Sequence, residues 1–122
     1  VQDGFSNIVA YISNRDPLFL SALYLQSECL VGMRLHSLIF ALCVNKPAFA
    51  IYLKQFGPKT PGIYSSFGLS EYCVDIEEME PSKCSSQLDK MLSESKTVEN
   101  KISNILAVEL KKEQAFIKSF IE

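Results

Sequence analysis

Three side chains in this sequence could act on an anionic ligand. Arg34 and His36 stand two positions apart, between a short apolar run, Leu30 to Met33, and a longer one, Leu35 to Val44. Lys59 follows in a Gly- and Pro-rich stretch, Gly57 to Gly62. An arginine grips a phosphate or carboxylate with two parallel hydrogen bonds. An imidazole is able to give or take a proton near neutral pH, and a lysine adds a mobile positive charge. If a helix opens at Leu35, the backbone N–H groups of Leu35, His36 and Ser37 add the partial positive charge of a helix N-terminus. The plainer alternatives are an Arg34 paired with a surface carboxylate, a His36 hydrogen-bonded at a helix start and a solvated Lys59. Against them, an arginine and a histidine set beside nearly solid apolar sequence are costly to bury unless paired or liganded.

The elements that must position these groups alternate in type. Asn7 to Ile12 (NIVAYI) reads as a short buried strand. Asp16-Pro17 is a helix start, with Asp as N-cap and Pro in the first turn, and predicts a helix from Pro17 to about Ser27. Leu30 to Met33 reads as a second strand. Leu35 to Val44 reads as a buried helix ending near Asn45, and Pro47 to Tyr52 as a third strand. Gly57 to Gly62 reads as a loop by its turn residues, followed by a short helix from Ile63 to Phe67 that stops at Gly68. Tyr72 to Ile76 is a fourth strand, and Glu77 to Ser85, acidic and holding Pro81, a connection. Ser86 to Ser93 starts a helix. A longer one runs from Val98 to Ile121, with Val98, Ile102, Ile105, Leu106, Leu110, Phe116, Ile117 and Phe120 at helical spacing. Strands alternating with helices predict an α/β fold, a Rossmann-like parallel sheet flanked by helices. In such a sheet ligands bind at the carboxyl ends of the strands, where Arg34, His36 and Lys59 fall.

Composition bounds the rest. The 122 residues suffice for a single domain spanning residues 1–122, and 48% of them are hydrophobic, as in a globular chain. A net charge of -2 excludes the basic excess that nucleic acid or an anionic membrane surface demands. No apolar run reaches the length of a membrane span. The start at Val1, with no Met and no signal-peptide pattern, reads as a cut inside a longer protein. Four cysteines (Cys29, Cys43, Cys73 and Cys84) form no C-x-x-C pair, and a lone histidine argues against zinc. They read as reduced, mostly buried thiols of a cytoplasmic protein.

Val31 to Ala41 (VGMRLHSLIFA) resembles the G-M-R-L-H-x-x-x-F-A signature of the polysaccharide pyruvyl transferase family. Pro47 to Tyr52 resembles the family's next strand. Pro58-Lys59 and Gly68 to Tyr72 (GLSEY) resemble its P-K segment and G-L-x-E-Y ending. The chain departs from the pattern at Leu53 to Gly57, which is longer than the usual link, so that Lys54 competes with Lys59 as the family lysine; Lys59 is preferred. The resemblance implies the C-terminal half of a GT-B-like two-domain enzyme, its N-terminal domain absent from this chain. It implies transfer of a pyruvyl group from phosphoenolpyruvate to a sugar of a cell-surface polysaccharide as a ketal, with no cofactor beyond the donor. Arg34, Leu35, His36 and Lys59 would then bind phosphoenolpyruvate, with His36 a candidate catalytic acid or base. The acceptor could be lipid-linked, at the inner face of the membrane, and the fragment alone would be inactive. Two readings of other classes stand beside this one. One is a nucleotide-sugar glycosyltransferase of the same architecture. The other is a non-catalytic interaction domain using the long terminal helix, for which a stable homo-oligomer would speak.

Overall fold

A computed structural model describes residues 12–121. The expected strand at Asn7 to Ile12 falls outside them except for Ile12, which is exposed and in no regular element. The described elements are α1 (Pro17–Gln26), β1 (Leu30–Gly32), α2 (Leu35–Cys43), β2 (Ala48–Tyr52), α3 (Lys59–Ser66), β3 (Cys73–Asp75), α4 (Pro81–Ser93) and α5 (Ser95–Ile121). Two short 3-10 turns, Lys54–Phe56 and Ser70–Tyr72, sit in the connections.

The three strands form one parallel sheet in the order β1-β2-β3. Val31 pairs with Phe49 and Gly32 with Ala50 on one side; Ala50 pairs with Cys73 and Tyr52 with Asp75 on the other. Ala48, Phe49 and Ala50 are all buried. Successive strand residues point to opposite faces, so the central strand is covered on both sides, as its unbroken apolar sequence requires. Helix α2 packs on β1 and β2, and α3 on β2 and β3. Leu38, Leu42, Phe49, Tyr64, Met91 and Ile102 are among the residues that close the single core.

Local chemistry explains where the helices start and stop. The Asp16 side chain accepts a hydrogen bond from the Leu18 N–H, with Pro17 behind it in the first turn, which opens α1 as the sequence predicts. Helix α2 ends on Asn45, which takes a left-handed φ of 59°. The Asn45 N–H donates to the Leu42 carbonyl and the Lys46 N–H to that of Ala41, the paired bonds of a Schellman cap. Gly68, with φ 69°, closes α3 the same way: its N–H donates to Ser65, and that of Leu69 to Tyr64.

Three boundaries differ from expectation. Gly57 to Gly62 is not all loop, because α3 begins at Lys59 and takes in Pro61 and Gly62. Pro61 is tolerated there because first-turn N–H groups have no intrahelical partner to lose. The stretch Glu77 to Ser85 is not all connection: Pro81 starts α4 with Glu80 as N-cap, the first-turn place where a proline fits a helix. Helix α5 begins at Ser95 rather than Val98. Its apolar stripe covers the core only through Val98, Ile102 and the half-buried Leu106. Beyond that, residues 107–121 are exposed, and Phe116 and Phe120 pack edge-to-face on each other with ring centroids 5.0 Å apart. All four cysteines are free; Cys43 is exposed and the other three half-buried, so the expected burial of the thiols is only partial. Among the described residues no helix is long and apolar enough to cross a membrane.

Candidate functional site

The carboxyl ends of the parallel strands bring three chain turns to one edge. β1 ends at Gly32 and turns through Met33 and Arg34 into α2; β2 ends at Tyr52 and leads to α3; β3 ends at Asp75 and leads to α4. Each turn delivers a helix N-terminus to the same edge of the sheet, the usual place for a ligand in such folds.

Arg34 is the N-cap of α2, with an extended backbone and no side-chain capping bond. Its carbonyl accepts the Leu38 N–H, the first bond of the helix. The N–H groups of Leu35, His36 and Ser37 therefore precede the helical ladder and stay available. Arg34 and His36 are exposed, and neither side chain has a hydrogen bond or ion pair among the described residues. The expectation that burial would force them to be paired is thus corrected. The apolar neighbours Leu38, Ala41 and Leu42 turn inward, while Arg34 and His36 remain in water at the rim.

Met33, Leu35, Tyr52, Leu53, Phe56, Gly57, Lys59 and Thr60 line a cleft of about 240 Å³ between the starts of α2 and α3. This cleft unites Leu35 and Lys59, while Arg34 and His36 lie outside its walls, on the turn and first helical residues beside it. The extra residues between β2 and α3 coil into the turn Lys54–Phe56, and Gly57, at φ 97°, redirects the chain into α3. Only glycine enters that backbone region at little cost. Lys59, first residue of α3, lines this cleft together with Leu35, whereas Lys54 lines a neighbouring depression with Pro58 and Pro61 that shares Tyr52 and Gly57 with it.

A second cleft of about 250 Å³ adjoins the first, sharing Tyr52 as a wall and holding Asp75, Glu78, Lys83 and Gln87. Residue types alone put Tyr52 and Asp75 in strands, with Asp75 inside one, whereas both are the last residues of their strands. A lone acid within an apolar strand, with more acids just after it, was the signal available. Burial, and then the nearby Asp75 carboxylate, push the pKa of the Tyr52 hydroxyl upward, so it stays protonated at neutral pH. No group of three or more His, Cys, Asp or Glu among the described residues is arranged to hold a metal ion.

Residues 4–55 match the model of a protein family described as Polysaccharide pyruvyl transferase. The match takes in β1, α2 and β2, and with them Arg34, Leu35 and His36, and ends before Lys59. Neither the curated proteins nor the solved structures gave a match.

Proposed function

We propose, from the match of residues 4–55 to the polysaccharide pyruvyl transferase model, that this chain is part of a transferase that moves a pyruvyl group from phosphoenolpyruvate to a sugar, leaving it as a cyclic ketal. The observation that carries this is the state of Arg34 and His36. Both stand exposed and without partners at an open helix N-terminus on the carboxyl edge of the sheet, inside the matched segment. Unpaired cationic and imidazole groups beside free N–H donors suit a ligand that carries both phosphate and carboxylate.

In this reading Arg34, with the N–H groups of Leu35 and His36, holds one anionic group of the donor, and Lys59 across the cleft neutralises the other. Protonation of the methylene carbon of phosphoenolpyruvate leaves an electron-poor C2. One sugar hydroxyl adds there and gives up its proton. The bond from C2 to the phosphate oxygen then breaks, phosphate departs with the electron pair, and a second hydroxyl of the same sugar adds and loses its proton. One proton is taken up on carbon, two are released from hydroxyls, and phosphate is the leaving group. In this reading His36 carries one of these protons. A second domain facing this edge would complete the cleft, and the acceptor belongs to a polysaccharide or a lipid-linked precursor of one.

His36 is the only histidine, so its imidazole signals report on this rim without interference. Titrating the full chain with phosphoenolpyruvate, inorganic phosphate and a nucleotide sugar should give a saturable shift that favours phosphoenolpyruvate. Arg34→Ala should weaken it about tenfold or more, the loss of charge-assisted hydrogen bonds. Preference for the nucleotide sugar, or no shift with any of the three, would overturn the reading.

A further inference from the structure

Asp75 is the one buried charged side chain of the described core, 7% exposed. It ends β3 opposite Tyr52, its register partner at the end of β2. Its backbone carbonyl accepts the N–H groups of Glu78 and Met79, and its Oδ1 accepts that of Glu77 at 3.0 Å. These bonds fix the carboxylate in place. The second oxygen, Oδ2, has no hydrogen-bond partner among the described residues. Nor is it sealed away: among the described residues the only fully buried side-chain N or O atom without a partner is Asn45 Oδ1, whereas Asp75 lines the second cleft. A carboxylate oxygen withdrawn from bulk water needs hydrogen-bond donors, because leaving it unpaired is expensive.

The rest of that cleft says which donors fit. Tyr52 and Lys83 offer polar groups, as does Gln87, whose Nε2 also donates to the Glu71 carbonyl at 2.9 Å; Val74 and Met79 add apolar lining, and Glu78 and Glu80 add negative charge. Three carboxylates disfavour an anion, so this is no second phosphate site. At about 250 Å³ the cleft holds roughly eight waters at ~30 Å³ each, the scale of one monosaccharide ring. A ring with hydroxyls on its rim and C–H groups on its face matches a carboxylate acceptor beside an apolar wall.

We propose that the cleft at the carboxyl end of β3 binds a pyranose ring, with Asp75 Oδ2 accepting hydrogen bonds from the sugar hydroxyls and Tyr52 forming the wall toward the anion-binding rim. That the bound sugar is the acceptor of the transfer rests on the function proposed above; that the cleft binds a sugar rests on the cleft alone. Since Tyr52 lines both clefts, the sugar would lie next to the Leu35–Lys59 cleft.

The test is an amide NMR titration of the full chain with methyl glucopyranoside, galactopyranoside and mannopyranoside, and separately with phosphoenolpyruvate. At least one glycoside should shift the amides of Val74 to Glu80 and Lys83 saturably. Asp75→Asn, which keeps Oδ1 as acceptor for Glu77, should weaken that binding about tenfold or more. Tyr52→Phe serves if Asp75→Asn fails to fold, and should weaken it as well by removing a donor. Glycosides that leave these amides unmoved, or that bind a folded Asp75→Asn as tightly as the parent, overturn the proposal. Shifts at Leu35 to Ser37 with phosphoenolpyruvate but none with glycosides would leave the donor reading standing and sink this one. Glycoside shifts without a phosphoenolpyruvate response would uphold the sugar site and remove its identification as the acceptor's.

Discussion

The Tyr64 hydroxyl donates a 2.8 Å hydrogen bond to the carbonyl of Ala48, tying the middle of α3 to the start of β2. Both residues are fully buried, and burial pushes the Tyr64 hydroxyl's pKa well above its ordinary value, so it remains a donor throughout the accessible pH range. The bond holds the helix whose first residue is Lys59 against the strand that ends at Tyr52. Tyr64→Phe keeps the ring and strands the Ala48 carbonyl. It should cost about 1–3 kcal/mol, read as a lower urea midpoint with an unchanged slope.

Function and stability should separate along α2. Leu38 is fully buried, whereas Arg34 and His36 are exposed and touch no partner. Leu38→Ala should therefore lower stability by about 3–5 kcal/mol through lost burial and the cavity it leaves. Arg34→Ala and His36→Ala should stay within about 0.5 kcal/mol of the parent while weakening phosphoenolpyruvate binding. Urea unfolding of the three variants beside ligand titration checks both halves. A large stability loss in either rim variant would mean that the residue supports the fold rather than the ligand.

Much of this architecture is legible from residue types alone, because the relevant signals are short-range. Asp16-Pro17 caps a helix through one side-chain bond, Gly68 stops another through one left-handed residue, and the run Ala48 to Ala50 is apolar because a central parallel strand has no solvent face. Proline is where local reading went astray. Pro61 and Pro81 sit in first helical turns, where the missing N–H costs nothing, and sequence alone cannot tell that place from a loop. The fate of α5 is also a tertiary matter. Phe116 and Phe120 follow the same periodicity as Val98 and Ile102, yet the domain body ends before reaching them. Arg34 and His36 stand out as candidates in the sequence because their motif is contiguous. Asp75 does not stand out there, because its place at a strand end opposite Tyr52 exists only once β2 and β3 are paired in register.

The ion pair between Glu71 and Lys90 gives the domain a pH-sensitive contact. The Lys90 Nζ lies 2.7 Å from Glu71 Oε2, joining the turn before β3 to α4. The hydrogen bond from Lys90 is the main cause holding the Glu71 carboxyl below the usual range. A folded-state pKa lower than the unfolded one contributes stability above the unfolded value, and that contribution is lost as pH falls through the folded one. Both side chains are substantially exposed, so solvent and salt keep the effect small. Glu71→Gln should therefore lower the urea midpoint slightly at neutral pH, and the two proteins should converge as the medium becomes acidic. A gap that persists unchanged into acid would show that the ion pair is not its source.

Asn45 is where a substitution should improve the molecule. It holds a left-handed backbone at the Schellman cap of α2, and its Oδ1 is buried without a partner. The conformation is strained for a residue with a Cβ, though less for Asn than for most, and an unsatisfied buried acceptor adds its own cost. Glycine removes both and gives back part of the gain as unfolded-state entropy. Asn45→Gly should thus stabilise the domain by about 0.5–1 kcal/mol, seen as a raised urea midpoint. Most substitutions at a half-buried position destabilise, so a gain here would be hard to explain except through the cap. Because α2 carries Arg34 and His36 at its other end, phosphoenolpyruvate binding should be unchanged. A loss of stability would mean that the Asn45 side chain makes a compensating bond, and that the helix is held at this end by more than its backbone.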